Sequence, residues 1–210
     1  MRKEFVINIA FLILLNVIIK PIYIFGIDVK VQNTLGNEIY GKYFSLMSLA
    51  IIFQILTDFG IQLYNTRFIA RSEGKVEHYF FIFILFKFFL GILYLSLLAI
   101  LGHMTGQDGE SINYLIAIGI NQILISYIFY FRSNIASLGH LRIDSVLSVL
   151  DRAFLLLTLG FLLFIWQGRS HFNLWQFIYG QTFSLLLVNL VAIIITFRIA
   201  PFRFFLKPDW

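Results

Sequence analysis

Cysteine is absent from the chain, which excludes disulfides, thiolate nucleophiles and cysteine-held metals and leaves the redox compartment unspecified. Charge is scarce as well. Asp, Glu, Lys and Arg together make up 13% of the residues, against 60% hydrophobic ones, and soluble domains carry about twice that charged share. With a mean hydropathy of +0.86, an ordinary soluble fold is excluded and the chain reads as an integral membrane protein. Histidines are few. His78, His103, His140 and His171 fall in loops on both sides of the expected bundle, so no shared metal site is expected. His140 and Asp144 have the spacing of a helical ligand pair but adjoin a basic loop, where solvation explains them. No GxSG turn is present for an intramembrane serine protease, and no closely spaced set of aspartates for a lipid phosphotransferase. The excess of five positive charges accompanies no nucleic-acid motif, and in a membrane protein basic excess marks cytoplasmic loops.

What is present is a series of long apolar runs. Six spans are expected, roughly 5–33, 43–64, 79–101, 112–136, 145–166 and 174–197, each long enough to cross a hydrocarbon core of about 30 Å. The N-terminus has the basic start of a signal peptide but no small-residue cleavage site, and is read as a retained first helix. On one side of these spans fall eleven basic residues: Arg2, Lys3, Arg67, Arg71, Lys75, Arg132, Arg142, Arg152, Arg198, Arg203 and Lys207. The other side has Lys30, Lys42 and Arg169. That asymmetry predicts both termini in the cytoplasm. The Gly102–Ser111 loop has no Lys or Arg and belongs outside. Tyr40, Tyr43, Tyr79, Phe80, Trp166, Trp175 and Trp210 are expected as interfacial anchors.

Polar residues within the spans carry the functional information, because an ionised group in lipid costs roughly 2.5–3.5 kcal/mol on insertion scales. Gln54, Asp58 and Gln62 repeat at every fourth position, which predicts one helical stripe turned toward a polar interior. The alternative is that Asp58 only pairs with a cation to lock packing. Counting ~1.5 Å per residue from the cytoplasmic helix ends puts Asp58, Lys87, Arg132 and Asp151 at about 6–12 Å depth, which predicts one hydrated vestibule rimmed by Arg152. An Asp58–Lys87 ion pair is expected between adjacent antiparallel helices. Deeper in, Asn16, Lys20, Asp28 and Gln32 share a face of the first span, and Asn121, Gln122, Ser126 and Tyr130 lie on the fourth. Pro21 predicts a kink beside Lys20; a passive bend with Lys20 snorkelling outward is the other reading.

The stretch from Gly36 to Arg71 also resembles a known family. Gly36, Tyr40, Gly41 and Tyr43 form a GxxxYGxY opening, followed by Asp58 and Gly60 as DxG, then Arg67 and the Ala70–Arg71 pair. This is similar to the second-helix region of bacterial polysaccharide-export flippases of the multidrug/oligosaccharidyl-lipid/polysaccharide exporter superfamily. Residues 18–36 resemble their first helix, and the remainder resembles them in hydropathy and loop spacing. The resemblance implies an all-α bundle of six transmembrane helices over residues 1–200, forming the N-terminal lobe of a two-lobe transporter, with 201–210 beginning a cytoplasmic linker. It further implies residence in the bacterial inner membrane and alternating-access flipping of a polyprenyl-pyrophosphate-linked oligosaccharide for surface polysaccharide such as O-antigen of lipopolysaccharide. Membrane lipids, a second lobe and polysaccharide-assembly proteins are the implied partners, and no cofactor or covalent chemistry is expected. In that picture Lys20, Lys87 and Arg132 meet pyrophosphate, Asn121, Gln122 and Tyr130 meet sugar hydroxyls, and Asp28, Asp58 or Asp151 bind a coupling ion or form structural ion pairs. A six-helix binding subunit of a larger transporter stays open as an alternative, with a lipid-modifying enzyme behind it.

Overall fold

The computed structural model describes residues 13, 16–71, 77–166 and 172–199, and among these every regular element is helical. Helix α1 covers 16–35, with a π-helical turn at Ile24–Asp28 that begins three residues after Pro21. Gly36 alone separates it from the next helix, at φ 80°, where a side chain would be strained. Helix α2 is Asn37–Phe53 and tightens into a 3₁₀ turn at Gln54–Thr57. Then come α3, Ile61–Arg71, and α4, Glu77–Met104. The last three are α5, Gly109–Ser137, α6, Leu141–Phe161 with a π-helical extension at Leu162–Trp166, and α7, Leu174–Ile199.

Five of these are long and apolar enough to cross a membrane among the described residues: Asn37–Thr57, Phe80–Met104, Gly109–Ser137, Leu141–Phe164 and Leu174–Ile199. The first expected span is described only at residue 13 and from residue 16 on, and the expected linker at 201–210 lies outside the described residues. The second expected span needs correction. It starts at Asn37 rather than Tyr43 and does not run on to Tyr64, because the helix stops at Asp58–Gly60. Phe59 at φ 47° and Gly60 at φ 82° turn the backbone there, so Gln54, Asp58 and Gln62 are not a continuous helical stripe.

Helix α5 is the centre of the bundle. Buried residues make up 56% of its most apolar window, against 17–33% in the other four, and it packs on α2, α3, α4, α6 and α7. Small residues permit that approach. A Cβ on Gly119 would sit 2.8 Å from Leu98 Cδ1 and 2.9 Å from Leu95 Cδ2, so α4 closes onto α5 at this glycine. Gly180 on α7 plays the same part against Leu159 of α6. Buried hydroxyls find acceptors within their own helices, Ser184 donating to the Gly180 carbonyl and Thr196 to that of Ala192, so neither is left bare in an apolar setting. At the start of α5, Asp108 caps the helix by accepting from the Ser111 backbone N–H at 3.2 Å. The Ser111 hydroxyl also donates to it, and these bonds hold the Asp108 carboxyl below its usual range. Two expected anchors are core residues instead: Tyr43 is 4% exposed and Phe80 1%. Each is covered by packing against a neighbouring helix, Tyr43 on Phe177 and Phe80 on Tyr130.

Candidate functional site

A cavity of about 390 Å³ opens between α1, α2, α5, α6 and α7. The π-helical turn of α1 ends at Asp28, and Tyr40 of α2 donates to its Oδ1 at 3.0 Å. One turn on, Tyr43 is held to α7, where the Gln181 amide donates to its hydroxyl at 3.0 Å. Across the cavity, the Arg152 guanidinium of α6 lies 5.1 Å from the centre of the Tyr23 ring on α1, a cation–π contact. Asp151 stays beside Arg152, accepting from its backbone N–H at 2.7 Å with the side chains 3.7 Å apart. Three tyrosines thus pin the walls to one another.

From α5 come Asn121 and Gln122. The Asn121 Oδ1 accepts from Thr182 at 2.7 Å and is committed to α7. Gln122 is different: it is 5% exposed, lines the cavity, and has no hydrogen-bond partner among the described residues. Its amide atoms are not sealed in the core but reach the cavity, where a polar molecule can bond them.

A second polar cluster sits at the break between α2 and α3. Lys87 of α4 is 1% exposed and donates to Asp58 Oδ1 at 2.8 Å, to the Thr57 carbonyl at 3.1 Å and to Ser126 Oγ at 2.7 Å. Its ammonium has three donors, and all are used. Asp58 Oδ2 meanwhile accepts from the Gln62 backbone N–H at 3.3 Å, capping α3. Thr57, Asp58, Gln54 and Gln62 line a smaller pocket of about 230 Å³. One turn into α3, Asn65 is buried and donates to Ser133 Oγ and Asn134 Oδ1 of α5, at 3.3 and 3.0 Å.

The expected Asp58–Lys87 pair is therefore present, but the single vestibule of four ionisable groups is not. Arg132 reaches across the α5–α6 turn to Asp144 at 2.7 Å, and Asp151 belongs to the larger cavity. Counting depth ignores azimuth, and similar depths on different helix faces do not bring groups together. Of the residues expected at a site, Lys20, Asp28, Asn121, Gln122 and Asp151 line the larger cavity, while Asp58, Lys87 and Arg132 sit in ion pairs elsewhere. Tyr130 is fully buried and donates to the Phe80 carbonyl at 3.0 Å.

Sequence reasoning missed Tyr23, Tyr40, Tyr43 and Gln181 as cavity residues. Gln181 was findable: an amide inside an apolar span carries the same signal as Asn121. The tyrosines carried none, because ring and hydroxyl suit an interface as well as a cavity wall. Among the described residues no three His, Cys, Asp or Glu side chains converge as a metal would require.

No curated protein and no solved structure matches the chain. A model of the polysaccharide biosynthesis protein family matches residues 5–209, almost the whole length, and the chain belongs to that family.

Proposed function

We propose that the chain forms one lobe of a transporter that moves a polyprenyl-pyrophosphate-linked oligosaccharide across the bacterial inner membrane, for assembly of surface polysaccharide such as O-antigen. The observation that carries this reading is the cavity: Lys20, Asp28, Gln122, Asp151 and Arg152 face a common space inside helices otherwise fit for lipid. Ionisable groups are kept in such a place when a polar cargo must pass, and membership of a polysaccharide family supplies the cargo's class. No nucleophile or metal is needed for transfer across a membrane, so the chain acts without covalent chemistry. Transport by alternating access follows if this lobe rocks against a second one about the cavity.

Complementation tests it. The native gene expressed in a bacterium lacking its own lipid-linked oligosaccharide flippase is expected to restore surface glycan. The Asp151→Asn/Arg152→Gln double variant is expected to lose most of that glycan at unchanged protein level. Full surface glycan from the double variant would remove the cavity from the mechanism.

A further inference from the structure

We infer that the cavity between α1, α2, α5, α6 and α7 is a saccharide subsite that takes one end of the glycan and excludes the diphosphate. This deepens the transport reading and rests on it for the identity of the cargo.

Two carboxylates, Asp28 and Asp151, share the lining with two cations, Lys20 and Arg152, so the formal charges cancel. A diphosphate brings several negative charges and oxygens that only accept. It would meet both carboxylates at close range, where like charges disfavour each other. The two intramembrane cations expected to meet a diphosphate are engaged elsewhere: Lys87 has all three donors used at the α2–α3 break, and Arg132 is bonded to Asp144. Arg152 lies over the Tyr23 ring and approaches Asp151 Oδ2 only to 3.7 Å, so an anion drawn to it meets that carboxylate as well.

The vacant hydrogen-bonding capacity asks for a different ligand. Asp28 uses Oδ1 for Tyr40, and its Oδ2 takes no hydrogen bond among the described residues. Asp151 Oδ2 has only the long 3.7 Å approach of Arg152 Nε. Gln122 has no hydrogen-bond partner among the described residues, and its amide, which both donates and accepts, reaches the cavity. Carboxylate oxygens need donors, and an amide needs both. A sugar hydroxyl supplies both at each carbon, and the rings of Tyr23, Tyr40 and Phe44 give apolar wall for its C–H faces. At about 390 Å³, near the low end of the roughly 300–1,000 Å³ of small-molecule sites, the space fits a short glycan end rather than a long chain.

The test is direct binding to the chain reconstituted in lipid nanodiscs, read by saturation-transfer difference NMR. The probes are a panel of hexose and N-acetylhexosamine disaccharides, with inorganic pyrophosphate as competitor. At least one disaccharide is expected to receive saturation, and pyrophosphate is expected not to displace it. Gln122→Leu keeps the volume and breaks no bond within the protein, so the fold is retained while affinity falls by about tenfold, the worth of one or two hydrogen bonds. Asp28→Asn/Asp151→Asn leaves Lys20 and Arg152 uncancelled and is expected to gain the pyrophosphate binding that the native chain lacks. Displacement of sugar by pyrophosphate in the native chain, transfer to no member of the panel, or unchanged affinity in Gln122→Leu each overturns the assignment. Failure of complementation with sugar binding intact would instead remove the transport reading and leave this site standing.

Discussion

Lys87 shows how a full charge is kept inside a lipid-spanning bundle. Each N–H of the ammonium meets an acceptor, and two of those acceptors are ones the helix break creates: the Thr57 carbonyl, which ends the 3₁₀ turn, and the Asp58 carboxylate. Removing one member of a buried pair costs about 3–5 kcal/mol because its partner stays charged and unpaired. Lys87→Met is expected at or below the low end of that range, since Asp58 opens onto the small pocket and its side chain is 29% exposed. Thermal unfolding in detergent should place Lys87→Met well below the native chain, and Asp58→Asn/Lys87→Met above the single variant, since the double change leaves no lone charge. A double variant less stable than Lys87→Met would mean that the pair is not what Lys87 contributes. Exchanging the two residues is a weaker test of the pair. An aspartate at position 87 has no donor for the Thr57 carbonyl, so the swap stays impaired although the pair is real.

At the level of elements, the break between α2 and α3 is the feature that sequence periodicity hid. Gln54, Asp58 and Gln62 at fourfold spacing satisfy a helix pattern, yet Asp58 followed by Gly60 also carries the signal of a turn leading into a capped helix. Both patterns describe the same residues, and tertiary bonds from Lys87, Ser126 and Asn65 decide for the turn. Gly60 has φ 82°, and a methyl group placed on its Cα would have no atom within 4 Å, so Gly60→Ala meets no steric clash and isolates backbone strain. The expected loss is about 1–2 kcal/mol, the left-handed penalty of a non-glycine residue, read as a lower unfolding temperature. An unchanged temperature would show that the turn relaxes without cost. The opposite logic holds at Gly119, where the backbone is ordinary helix and the neighbours are close. Gly119→Ala presses on the flexible ends of Leu95 and Leu98, and overpacking of that kind costs typically about 1–3 kcal/mol. Leu98 is itself fully buried, so the contact is tested by a cycle: Gly119→Ala should cost less on a Leu98→Ala background than in the native chain if the contact is its cause.

On the scale of the whole molecule, the helices from α4 on were legible because they are long apolar runs interrupted by polar turns, such as Gly102–Ser111 and the Gly139–His140 corner. The cavity was half legible. Intramembrane charges and amides at Lys20, Asp28, Asn121, Gln122 and Asp151 announced it, but which of them meet depends on helix azimuth, on the π-helical turn that sets Asp28, and on tyrosines that pattern alone cannot place. Orientation across the membrane is the remaining expectation, and its basis is the excess of basic residues on one side. The absence of cysteine makes a clean measurement possible, since any single introduced thiol is the sole site of labelling. Thr105 and His140 are both exposed and lie at opposite ends of α5, whose 29 residues at about 1.5 Å each exceed the hydrocarbon thickness. With both termini cytoplasmic, Thr105→Cys in intact spheroplasts reacts with a membrane-impermeant maleimide, whereas His140→Cys reacts only after the membrane is opened. The reverse pattern would invert the molecule, putting Arg132, Arg142 and Arg198 outside against the charge rule. Labelling of both positions in sealed cells would mean that α5 does not separate two compartments, and the bundle would then have to lie in the membrane in some other way.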